Sequence, residues 1–97
     1  MQFLVIAYDG KDEKAMDRRM AARAAHLAGV EKMKAEGEAL YGVAILDTQE
    51  KMIGSVMVVE FPSRADLDSW LKVEPYVTGN VWQKMEILPC RVPPLFA

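Results

Sequence analysis

With 97 residues, 52% of them hydrophobic and 27% charged, the chain has room for one domain around a modest core, spanning residues 1–97. A net charge of −2, with basic residues spread along the sequence, excludes the electrostatic footprint of a nucleic-acid binder. A single cysteine and a single histidine exclude an internal disulfide and a Cys/His zinc centre within one chain, and no apolar run reaches the roughly 18 residues of a membrane span.

The opening residues, MQFLVIAYDG, lack the basic start and small-residue cleavage site of a signal peptide, so a cytoplasmic protein is expected. Residues 2–8, QFLVIAY, form a short β-rich apolar run closed by Asp9-Gly10, which predicts a buried strand and a turn. Between Asp12 and Glu36 only Gly29 interrupts a composition rich in Ala, Met, Lys, Arg and Glu, which predicts helix with Gly37 as its stop. ALYGVAILD (39–47) reads as a second strand, turned by the polar DTQEK into a third, MIGSVMVVEF (52–61). A helix then starts with Ser63 as N-cap and Asp66 at N3, burying Leu67, Trp70 and Leu71. EPYVTGN (74–80) reads as a loop and VWQKMEILPC (81–90) as the last strand, before a proline-rich tail.

The order β-α-β-β-α-β gives a ferredoxin-like α+β fold, an antiparallel sheet with both helices on one face. Both alternating sets of the strands are nevertheless apolar: Phe3, Val5 and Ala7 against Leu4, Ile6 and Tyr8, and Val56 and Val58 against Met57 and Val59. A sheet apolar on both sides needs a cover for its second face, and a second copy of the chain is the simplest one. A homodimer through the open sheet face is therefore expected.

The only histidine, His26, lies within RRMAARAAHLAG. A strand of about 8 residues measures roughly 26 Å, whereas a helix returning over it needs about 17 residues. The helical segment is longer, which predicts a break near residues 20 to 22, with the main helix running from about Ala22. His26 would then fall near its start, beside Asp9 at the end of the first strand. At helical spacing Arg19, Arg23, His26, Val30 and Met33 form one stripe bordering the apolar face. An imidazole next to a carboxylate is the usual preparation of an acid/base group, and an adjacent Arg binds anionic oxygen. A histidine at the edge of a helix stripe is also a common structural residue, and Asp9-Gly10 is ordinary turn chemistry. Gly29 is expected to mark a close packing contact, Trp70 and Trp82 core or dimer contacts, and Cys90 no nucleophile.

LVIAYDG, RRMAARAAHL, GSVMVVEF and EPYVTGNVW, in this order and spacing, resemble the YCII-related (YciI-like) domain family from Phe3 to Phe96. The resemblance implies a small dimeric ferredoxin-like protein of the dimeric α/β-barrel group, similar in fold to muconolactone isomerase. It implies a pocket in which a His and an Asp meet, and one branch that removes chloride from a chlorinated hydroxyquinol. Carried over by position, it assigns His26 and Asp9 to catalysis and Arg23, Ser55, Pro75 and Tyr76 to substrate binding. Two departures stand out: Glu74 replaces the usual Asp before Pro75, and Ala24-Ala25 stand where many relatives have a Pro.

Two functions fit these residues. One is a small-molecule enzyme with His26 as acid/base and Asp9 holding it, working on a cyclic or aromatic substrate by isomerase, lactone or dehydrochlorinase-type chemistry with no metal or organic cofactor. The other is a non-catalytic metabolite-binding module or partner subunit of the same fold. The surroundings of His26 discriminate between them.

Overall fold

A computed structural model of the chain describes all residues, 1–97. Four strands, β1 (Gln2–Asp9), β2 (Ala39–Leu46), β3 (Met52–Glu60) and β4 (Trp82–Cys90), form one antiparallel sheet in the order β2-β3-β1-β4. Helices α1 (Ala15–Ala35), α2 (Arg64–Leu71) and a single turn, α3 (Pro75–Thr78), complete the ferredoxin-like α+β fold, with a short 3-10 turn at Pro94–Phe96.

Period-2 alternation sets the inner face. Phe3, Val5 and Ala7 of β1 and Met57 and Val59 of β3 are buried and join Met33, Phe61, Leu67, Tyr76, Val81 and Trp82 in one core. Asp9 and Ser55 continue the same two inward rows, so a carboxylate and a hydroxyl are carried into the interior by register. Close strand packing fixes one more residue: a Cβ on Gly54 would collide with the Ala7 carbonyl oxygen, so only glycine fits before Ser55. On β2 the inward residues facing β3 are small, Gly42 opposite Met57 and Ala44 opposite Ser55. That deficit of side-chain volume leaves a cavity beneath α1.

The local signals act as the sequence predicts at most ends. Ser63 caps α2, accepting from the Asp66 backbone N–H at 3.2 Å. Gly37, at φ +78°, terminates α1 in the left-handed conformation that glycine adopts at no steric cost. Three expectations are corrected. The helix does not break near residues 20 to 22: α1 is continuous, because no proline interrupts it and alanine, the best helix former, fills positions 21, 22, 24 and 25. The start at Ala15 rather than Asp12 removes only part of the surplus: at 21 residues α1 is still longer than the roughly 17 that a return over β1 needs. Residues 75–78, read as loop, form α3, with Pro75 at its first turn, where a missing N–H costs nothing. Gly29 is no packing contact, since nothing lies within 4 Å of where its Cβ would be.

On the opposite face of the sheet Leu4, Ile6, Val56 and Val58 are half-buried, flanked by exposed Tyr8, Tyr41, Val43 and Leu88. No helix of the chain covers these residues, and none is long and apolar enough to cross a membrane.

Candidate active site

Helix α1 presents one buried residue every seven positions, Arg19, His26 and Met33. Two full helical turns bring the side chain back to the same face, and here that face turns two polar groups inward. Neither is left alone. Arg19, 3% exposed, donates through Nη1 to both Asp9 carboxylate oxygens at 3.0 Å and through Nη2 to the Ser55 hydroxyl at 3.0 Å. The same hydroxyl accepts from the Trp82 indole N–H at 3.2 Å. The guanidinium carbon lies 4.8 Å from the centre of the Tyr76 ring, a cation–π distance, while its Nε has no hydrogen-bond partner.

His26 is bonded through Nδ1 to Glu74, 2% exposed, whose carboxylate oxygen also accepts the Tyr76 backbone N–H at 3.1 Å. Glu74 is the N-cap of α3, so the carboxylate is fixed by the turn before it meets the imidazole. Tyr76 stacks on the His26 ring, centroids 3.8 Å apart and planes 13° from parallel, and Trp82 meets both rings edge-on. With Nδ1 engaged by a carboxylate, Nε2 is the nitrogen left for other chemistry.

This arrangement corrects the expected His26–Asp9 dyad. The carboxylate on His26 belongs to Glu74, and Asp9 is held by Arg19. Helix geometry gives the reason: in an unbroken helix His26 lies seven residues beyond Arg19, about 10 Å along the axis, out of line with the end of β1. Burial pushes the Asp9 carboxyl above the ordinary aspartate range, against the pull of the Arg19 hydrogen bonds and charge. Burial likewise pushes the Tyr76 phenol up, so it stays protonated at neutral pH.

A cavity of about 230 Å³ opens between α1, the inner side of β2 and β3, and α3. Arg19, Arg23, His26, Ser55 and Tyr76 supply its polar wall; Leu27, Val30, Met52 and Met57 supply apolar wall. Of the residues expected at the site, His26, Arg23, Ser55 and Tyr76 line this cavity together. Asp9 stands behind Arg19, and Pro75 only shapes the α3 turn that carries Tyr76. The sequence reasoning missed Glu74 as the partner of His26, Trp82 as a donor to Ser55, and the burial of Arg19. No group of three or more His, Cys, Asp or Glu side chains is arranged to hold a metal ion.

The chain is similar to known proteins along nearly its whole length. Protein YciI of Escherichia coli O6:H1 and that of Shigella flexneri are each 26% identical over 95 residues, 92% of this chain and 95% of theirs. The 5-chloro-2-hydroxyhydroquinone dehydrochlorinase TftG from Burkholderia phenoliruptrix AC1100, solved in complex with 2,5-dihydroxybenzoquinone, superimposes with a TM-score of 0.82 at 23% identity over 94% of both chains. A dimeric ferredoxin-like protein of unknown function from Jannaschia sp. CCS1 matches with a TM-score of 0.52 at 18% identity, over 94% of this chain and 98% of that one. The YCII-related domain model matches residues 1–91, and with that match over a ferredoxin-like frame the chain belongs to the YCII-related domain family.

Proposed function

We propose that the chain is a small-molecule acid–base catalyst in which His26 moves a proton through Nε2 and Glu74 holds the imidazole through Nδ1. The observation that carries this reading is the buried His26–Glu74 pair standing in the wall of a cavity with apolar and cationic lining. A carboxylate fixes the tautomer of the ring and stabilises the imidazolium formed when Nε2 takes a proton. Arg23, Ser55 and Tyr76 face the same space and contact the oxygens of a small cyclic or aromatic substrate. Proton transfer of this kind contributes typically 10²–10⁴-fold and needs no metal or organic cofactor.

The overall likeness to TftG makes elimination of HCl from a chlorinated hydroxyquinol the reaction to test first. The ring first ketonises, one hydroxyl proton moving to the chlorine-bearing carbon. His26 then takes the proton of a second hydroxyl as the C–Cl bonding pair leaves with chloride, so a hydroxyquinone forms and one proton and one chloride are released. The expected result is chloride release from 5-chloro-2-hydroxyhydroquinone in excess of the spontaneous rate, lost by two orders of magnitude or more in His26→Asn. Unchanged release in that variant would remove His26 from the chemistry. Saturable binding of 2,5-dihydroxybenzoquinone with no turnover in the wild type favours the second reading, a metabolite-binding module.

The working unit is a homodimer joined through the open sheet face. Its support is the apolar surface from Leu4 to Val58 with no covering element, together with the dimeric state of the Jannaschia relative. Val56 sits at the centre of that face, paired with Ile6 on one side and Val43 on the other. Val56→Lys is expected to convert a species of twice 10.9 kDa into a monomer in light scattering after size-exclusion chromatography. A wild-type monomer at micromolar concentration would defeat this assembly.

A further inference from the structure

A serine hydroxyl has one hydrogen to give and two lone pairs to accept with. Ser55 has both lone pairs occupied: Arg19 Nη2 donates to it at 3.0 Å and Trp82 Nε1 at 3.2 Å. Neither partner can accept in return, because a guanidinium and an indole N–H are donors only. The hydroxyl hydrogen is therefore the one valence left, and it has no acceptor within the chain. Ser55 is 5% exposed and lines the cavity, so a molecule in the cavity is the acceptor within its reach.

The charges around the cavity agree with that direction. Asp9 neutralises Arg19, and Glu74 faces His26. Arg23 also lines the cavity and forms no ion pair with any carboxylate of the chain, which leaves its guanidinium as the uncompensated charge of the wall. At about 230 Å³ the space lies below the roughly 300 Å³ at which pockets for drug-sized ligands begin, and matches a single ring.

We propose that Ser55 is a one-way hydrogen-bond donor which, with Arg23, selects ligands by an anionic, acceptor-only oxygen on one flat ring: a carboxylate, or an ionised enol or phenol. The inference rests on the cavity being the ligand site, and deepens that reading by naming the chemical class admitted. A ring bearing donors at this position finds no lone pair on Ser55 and a cation in front of it.

Benzoate and benzamidine test the inference, because they share shape and size while one only accepts and the other only donates. Titration calorimetry of the wild type is expected to show benzoate bound at least tenfold more tightly than benzamidine. Ser55→Ala weakens benzoate about tenfold, or about 1.4 kcal/mol, close to the lower end of the range for a hydrogen bond to a charged group. Arg23→Gln, a change at a half-buried position, weakens it by a similar factor; Ser55→Ala leaves benzamidine unchanged, and Arg23→Gln, which removes a like charge, does not weaken it. Circular dichroism establishes folding of each variant. Should Ser55→Ala fail to fold, Ser55→Thr, which keeps the hydroxyl, and Arg23→Gln decide: the first is expected to retain benzoate affinity and the second to weaken it about tenfold. Equal binding of the two probes, no benzoate binding, or a folded Ser55→Ala or Arg23→Gln that binds benzoate like wild type overturns the proposal. Benzoate binding with the expected Ser55 and Arg23 dependence, in a protein that releases no chloride, upholds the selectivity and defeats only the dehydrochlorinase reaction.

Discussion

Replacing Arg19 with alanine is expected to destabilise the chain by about 3–5 kcal/mol, the usual cost of removing one partner from a buried ion pair. Asp9 and Arg19 have side chains only 4% and 3% exposed, so water cannot take over the lost interactions. Truncation strips the Asp9 carboxylate of both its hydrogen bonds, removes one of the two donors to Ser55, and empties space beside Tyr76. A domain of this size holds only about 5–15 kcal/mol in total, so the variant approaches the limit of folding. Urea unfolding followed by tryptophan fluorescence, at fixed protein concentration because association contributes to stability, reports the loss as a lower midpoint. The control is Arg19→Met combined with Asp9→Leu. Removing both charges together abolishes the uncompensated carboxylate, so the double variant is expected to be more stable than Arg19→Ala by at least 1–2 kcal/mol. A double variant no better than the single one would show that an uncompensated Asp9 carboxylate is not what destabilises Arg19→Ala.

That pair illustrates how much of the site the sequence discloses. Alternation along β1 turns Asp9 inward, and the helical stripe already aligns Arg19 with His26 and Met33; both are local patterns. A buried guanidinium requires a buried carboxylate, and Asp9 at the end of an inward row is the nearest one in the chain, so this pairing was open to inference from the sequence. The His26–Glu74 contact is different in kind. Forty-eight positions separate the two residues, and only the docking of α3 against α1 brings them together. The signal that bears on it is the Glu-Pro-Tyr sequence, in which proline starts a turn and a preceding carboxylate caps it. The helix break fails for a related reason. Comparing the lengths of strand and helix identified a real surplus of residues, but surplus length can leave a helix end projecting, whereas a break needs a breaker, and none lies between Ala15 and Ala35 apart from an exposed Gly29. The succession of strands along the chain, the Ser63 cap and the Gly37 stop were legible because each depends on neighbours in sequence; the cavity depends on Gly42 and Ala44 meeting Met57 and Ser55 across strands.

Glu74→Gln is expected to lower turnover by about 10²–10³-fold while leaving the fold intact, within the usual range for acid–base assistance. Glutamine keeps the length of the side chain and an oxygen that accepts the Tyr76 backbone N–H, so the cap on α3 survives. What it removes is the negative charge beside Nδ1, and with it the stabilisation of the imidazolium that exists only after Nε2 has taken a proton. The effect therefore falls on the chemical step more than on binding, and the rate constant drops while the Michaelis constant stays within a few-fold. Glu74→Asp preserves the charge on a side chain one methylene shorter; it is expected to retain at least a tenth of the activity. Because His26 is the only histidine, its Nδ1 proton gives one assignable NMR signal. That signal shifts in Glu74→Gln and remains in place in Asp9→Asn if Glu74 is the partner. The opposite pattern, a signal indifferent to residue 74 and moved by Asp9→Asn, would return the dyad to Asp9. Equal activity in Glu74→Gln and wild type would leave the buried pair a structural contact alone.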